Sequence, residues 1–81
     1  MNTVDFNKLK EMDHREGEDY LLANGCCKTI ADIKCDRVAD DEVWSRKFID
    51  EETGKLSYIY RQYVNVIANK FRVVSEEWLQ V

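Results

Sequence analysis

The sequence predicts a small α+β domain, with short helices in the N-terminal ~50 residues packed on a small antiparallel sheet from the C-terminal part. Three observations predict it. The first is a division of charge. Residues 1–52 carry fourteen of the sixteen carboxylates against eight Lys and Arg, whereas 53–75 carry no acid, four bases and four aromatics. The second is a change of period at Leu56, where apolar residues begin to alternate. The third is a set of helix-capping signals, all but one ahead of that point.

Taken in order, Asn2 or Thr3 caps a short helix with Phe6, Leu9 and Met12 on one side. It frays by Asp13, and Gly17 then breaks the pattern. Glu18 and Asp19 then suit the first turn of a second helix, because carboxylates meet the positive end of its dipole. That helix carries Tyr20, Leu21 and Leu22 and stops at Asn24-Gly25. Thr29 caps a third piece, with Ile30, Ile33 and Val38 inward. Asp40-Asp41-Glu42 opens a fourth, in which Val43, Trp44, Lys47 and Phe48 fall at helical spacing. A strand over 43–49 is the alternative, with Trp44 and Phe48 on one face and Val43 and Ile49 on the other.

Residues 51–55 read as a turn, since Gly54 takes positive φ without steric cost. Beyond it, Leu56, Tyr58, Tyr60, Val64 and Val66 point one way; Ser57, Ile59, Arg61 and Tyr63 point the other. Aromatic and β-branched density favours strand here, although Leu56, Tyr60, Tyr63, Ile67 and Phe71 also fit one helix. Ile67 to Lys70 turns the chain, Phe71 to Val74 forms a second strand, and Ser75 caps a last helical turn with Trp78 and Leu79.

Size and charge bound the function. Eighty-one residues make one domain, 1–81, with a modest core and little room for a deep substrate cavity. Net charge −4 disfavours general binding of nucleic acid or anionic membrane. The N-terminus lacks the features of a signal peptide, and no apolar run is long enough for a span, so a cytoplasmic setting is expected. Three cysteines do not make a disulfide framework. His14, Cys26, Cys27 and Cys35 lack the tight paired spacing of a structural zinc site, so no metal and no cofactor are expected. His14 lies in a charged, solvated stretch, and no base stands beside the thiols in sequence. Thr53-Gly54-Lys55 lacks the upstream glycine of a phosphate loop. These observations point away from an enzyme.

The expected function is therefore binding. Asp36, Asp40, Asp41, Glu42, Asp50, Glu51 and Glu52 crowd seven carboxylates into one segment. As an acidic face they would steer capture of a protein with a basic surface. Such a chain would be a cytosolic regulator or inhibitor that occupies a partner surface, for instance a mobile-element-encoded antagonist of a nucleic-acid enzyme. The alternative is nucleic-acid binding, by a helix-turn-helix reading through 40–48 or by a sheet presenting Arg61, Tyr63, Lys70 and Arg72. The acids opening at Asp40 weigh against the helix-turn-helix, because a groove reader needs positive charge for phosphates.

Overall fold

Capping begins the chain's regular structure. In a computed structural model that describes residues 4–29, 36–38 and 41–81, the Asp5 side chain accepts from Asn7 N at 3.0 Å and starts α1 (Phe6–Leu9). Asp13 does the same for α2 (His14–Ala23), accepting from Glu16 N at 2.8 Å. Both caps satisfy N–H groups that no helical carbonyl reaches. Gly17 therefore lies inside α2 and does not break it, a correction to the sequence expectation. Asn24 ends the helix and Gly25 follows at φ 86°.

The remaining elements are strands: β1 (Cys26–Lys28), β2 (Asp36–Val38), β3 (Asp41–Asp50), β4 (Leu56–Ile67) and β5 (Lys70–Gln80). All pairings are antiparallel. β3, β4 and β5 form a meander, and β1 and β2 share the other edge of β3. The mixed α+β class holds, but three strands lie within the first fifty residues and the sheet is large relative to the helices.

Two of the expected helices are strand, and the third falls mostly outside the described residues. The helix expected from Asp40 to Phe48 is strand β3 from Asp41 onward, with Asp40 outside the described residues. Pairing with β4 along nearly its whole length decides this, and Trp44 and Phe48 consequently share a face with Gln62 and Tyr58. The helix-turn-helix reading loses its recognition helix with it. The helical turn expected after Ser75 is the continuation of β5, whose ladder with β4 runs to Gln80 opposite Tyr58, after which Val81 N donates to Ser57 O at 2.9 Å. Residues 30–35 of the helix expected after Thr29 lie outside the described residues, and 36–38 are strand.

Residues 56–67 are strand, as their alternation indicates. Tyr58, Tyr60 and Val64 are buried on the face toward the helices, at 3–5% exposure. Against Tyr58 and Tyr60 pack Leu9, Leu21, Cys26, Phe48 and Trp78, with Phe6 and Tyr20 at the margin. Trp78 is the central wedge. Its ring centroid lies 5.0 Å from Tyr60 and 5.6 Å from Phe48, and its indole N–H donates to Met12 O at 3.2 Å. The loop between the helices is thereby tied to β5.

The same ring explains Gly17, which is buried. A Cβ there would fall inside contact distance of Trp78 Cζ2 and Cε2. Glycine to alanine in an exposed helix gains roughly 1 kcal/mol. Gly17→Ala is expected instead to cost about 1–3 kcal/mol through overpacking. Urea unfolding measures it; a stabilised variant would place the helix farther from the indole than described.

Two turns close the meander. At 51–55 the Asp50 carboxylate accepts from Glu52 N and Thr53 N at 2.8 and 3.1 Å, and Gly54 takes φ 70°. Ala68 and Asn69 both take positive φ (52° and 62°), the conformation whose twist suits a two-residue hairpin. The long β4–β5 ribbon contributes to extents of 45 × 23 × 17 Å.

Candidate functional site

The acidic residues do not form one surface among the described residues. Asp41 and Asp50 stand at opposite ends of β3, about 30 Å apart at the usual rise of an extended strand. Asp50 is 9% exposed and its carboxylate shapes the turn. Glu42, expected on an exposed first turn, is 7% exposed within a strand. Asp41 is exposed and accepts from Asn65 Nδ2 at 2.7 Å. Glu51 and Glu52 are exposed at the turn. Asp36 lies on β2, and Asp40 is outside the described residues.

Basic residues are better gathered. Arg61, Tyr63 and Asn65 alternate along the face of β4 that points away from the helices. One extra β5 residue at the bulge shifts the register, so Arg72 stands opposite Asn65 and Lys70 opposite Ile67, on that same face. Glu77 sits opposite Arg61 on that face too. It accepts from the Tyr63 hydroxyl at 2.8 Å and lies 3.9 Å from Arg61 Nη1.

β5 itself is an edge strand. Residues 70–77 are all exposed, and the apolar side chains are among them: Phe71 at 67%, Val74 at 63% and Val73 at 47%, joined by Ile67 at 57% on β4. Such an edge presents unpaired backbone groups beside apolar side chains.

A pocket of about 110 Å³ opens on the other face. It is lined by His14, Trp44, Arg46, Tyr60 and Gln62. Cross-strand pairing builds it: Trp44 stands opposite Gln62, and Arg46 opposite Tyr60, two residues along. The four therefore form a block on one face, and His14, in the first turn of α2, stacks on Tyr60 at 4.4 Å. The Trp44 indole nitrogen is buried without a hydrogen-bond partner among the described residues, and the buried Tyr60 hydroxyl, with Glu76 and Gln62 beside it, makes no well-aligned hydrogen bond. His14 Nε2 is buried too. It lies 3.2 Å from Glu18 Oε2 but makes no well-aligned hydrogen bond. Burial pushes the Tyr60 phenol well above its ordinary pKa, and the Glu76 carboxylate adds to this. Glu18 is held below its ordinary pKa mainly by Lys28, whose Nζ donates to it at 2.7 Å.

Sequence reading missed this block. Trp44-x-Arg46 and Tyr60-x-Gln62 are the signal, but it appears only once 41–50 is a strand, because period two aligns the pairs. His14 was placed in a solvated stretch, and the stacking on Tyr60 corrects that.

The thiols are elsewhere. Cys26 is buried and Cys27 half-buried on adjacent positions of β1, and such neighbours point to opposite faces. Burial raises the Cys26 pKa, with Asp50 adding to it, so this thiol is held in its neutral form. Cys35 lies outside the described residues. Among the described residues no three His, Cys, Asp or Glu groups are placed to hold a metal ion. No described helix is long and apolar enough to cross a membrane.

No protein-family model, curated protein or solved structure matches this chain.

Proposed function

We propose that the chain is a protein-binding module that acts by occupying a partner's surface through the exposed edge of β5. The observation that carries this reading is the run of exposed apolar side chains, Phe71, Val73 and Val74 with Ile67 of β4, along a strand with no neighbour on its outer side among the described residues. Water-exposed apolar groups of this extent favour burial against a protein surface, and an open edge accepts an added strand. Charge sets the partner's chemistry. Lys70 and Arg72 ask for acids opposite the hairpin end. Glu76 and Glu77, with Glu51 and Glu52 toward the other end, ask for a basic surface. Glu51 and Glu52 thus speed capture, and Glu42 and Asp50 serve the fold. A regulator or inhibitor working in the cytoplasm agrees with Cys26 and Cys27 being held as thiols outside any disulfide. The finer reading, an antagonist of a nucleic-acid enzyme encoded by a mobile element, draws only on size and acidity.

One observation favours a second reading. Arg61, Tyr63, Arg72 and Lys70 share the open face of the sheet, as a single-strand binder requires. Glu77 weakens it by engaging both Arg61 and Tyr63.

The test is recovery from a native lysate on immobilised wild type and Phe71→Glu, each with and without nuclease. Nuclease-resistant recovery of a protein by wild type, lost with Phe71→Glu, is the expected outcome. Co-purifying nucleic acid, released by nuclease and indifferent to Phe71, would transfer the function to the open face.

A further inference from the structure

We infer that the occupant of the β5 edge is a second copy of this chain, which lays its own β5 antiparallel to the first about a two-fold axis. The inference rests on the reading of β5 as the binding edge and names the partner that this edge fits.

The charges of β5 are ordered along it. Lys70 and Arg72 stand at the hairpin end, Glu76 and Glu77 stand farther along, and Val73, Val74 and Ser75 lie between them. Read in reverse, the same segment offers acids where the first copy has bases, and bases where it has acids. Antiparallel pairing of β5 with itself therefore sets opposite charges together at both ends of the contact, whereas parallel pairing sets like against like. Lys70 and Arg72 make no ion pair among the described residues. The two contacts of Glu77, with the Tyr63 hydroxyl and Arg61, both fall on Oε1. A carboxylate accepts at two oxygens, so Oε2 is left for a base on the second copy.

The bulge decides whether these charges meet. Residues opposed across an antiparallel pair share a face of the sheet. In an unbroken strand a base at 72 and an acid at 77 would lie on opposite faces. Val74 is the extra residue between the pairs Val64–Val73 and Tyr63–Ser75, and it shifts the alternation by one. Lys70, Arg72 and Glu77 consequently share the face away from the helices. A two-fold axis between Val73 and Val74 opposes Lys70 to Glu77 of the second copy, and one between Val74 and Ser75 opposes Arg72 to it. The axis repeats each pair, so either register forms it twice. Charges and bulges commonly keep edge strands apart, and a run of one sign would do so here. Charges ordered from basic to acidic, on a bulge that aligns them, instead select a copy in the antiparallel orientation.

Apolar burial supplies the attraction. Val74 lies at the axis in both registers, and the exposed Val73 and Phe71 flank it. These two stand opposite Val64 and Val66 on the helix-side face, so a second copy covers them from the outer side of the strand. An axis perpendicular to the sheet keeps the helices of both copies on one side of a continuous antiparallel sheet.

Sedimentation equilibrium of the purified chain over a concentration series reads the association. Wild type should show a monomer–dimer equilibrium that weakens as salt rises. An acidic variant, Lys70→Glu with Arg72→Glu, should associate with itself about tenfold or more weakly, because like charges then oppose one another at both ends. A basic variant, Glu77→Lys, should lose association in the same way. An equimolar mixture of the two should regain a dimer, since each supplies the charge that the other lacks. Far-ultraviolet circular dichroism checks that each variant is folded. Glu77→Gln, which keeps an acceptor for the Tyr63 hydroxyl, should weaken association less than Glu77→Lys and serves if the latter does not fold. A monomer at every soluble concentration overturns the inference. If the immobilised chain then still recovers another protein, and Phe71→Glu releases it, β5 remains the binding edge and only the second copy fails. A dimer that Phe71→Glu abolishes but the charge variants leave unchanged overturns the antiparallel pairing. A dimer indifferent to all of these variants also overturns the inference, by placing the contact on another surface.

Discussion

Trp78→Ala is expected to lower the free energy of unfolding by about 4 kcal/mol, the cost of truncating a large aromatic in a packed core. The indole is 6% exposed and fills the space between α2 and the sheet, against Tyr60 and Phe48 and directly under Gly17. Its N–H also holds the Met12 carbonyl. A domain of this length has a total stability of roughly 4–12 kcal/mol, so the loss would leave a substantial unfolded population. Urea unfolding followed by far-ultraviolet circular dichroism measures the change. Trp78→Phe should fall between wild type and Trp78→Ala, since it keeps most of the ring. A midpoint for Trp78→Ala within error of wild type would mean that something other than this ring holds the helices on the sheet.

Tyr60→Ala should cost about 3 kcal/mol or more, again as a large-to-small change in the core. Its ring is 3% exposed and lies between His14 and Trp78. Arg61→Ala, one residue on, should cost well under 1 kcal/mol. That side chain is about a third exposed on the opposite face, and the Glu77 carboxylate is 3.9 Å away in a solvent-screened setting. The contrast between neighbours is the measurement. Equal, small losses at both positions would show that β4 does not present Tyr60 to the helices.

The faces of β4 were legible because alternation over twelve residues leaves one register in which Tyr58, Tyr60 and Val64 are buried together. The turn at 51–55 was legible from Gly54 and its acidic neighbours, and the helix stop from Asn24-Gly25. Residues 41–50 were not. Val43, Trp44, Lys47 and Phe48 fall at helical spacing, whereas the side chains the fold buries there are Glu42, Ser45, Phe48 and Asp50. The strand arises because β4 offers a partner of matching length, and local sequence contains no record of that partner. The same error hid the pocket, whose residues come from α2, β3 and β4.

What the sequence alone determined is what depends on neighbours along the chain: the two faces of β4, the turns at Gly25 and Gly54, and the separation of acidic from basic segments. Tertiary structure decided what depends on partners distant in the chain. It made 41–50 a strand and extended β5 to Gln80. It buried Glu42, divided the acidic set between the two ends of β3, and moved His14 from a solvated stretch onto the Tyr60 ring. The physical reason is that strand pairing and side-chain burial are satisfied between segments. A residue's exposure is therefore set by what is packed against it, which periodicity within one segment does not specify.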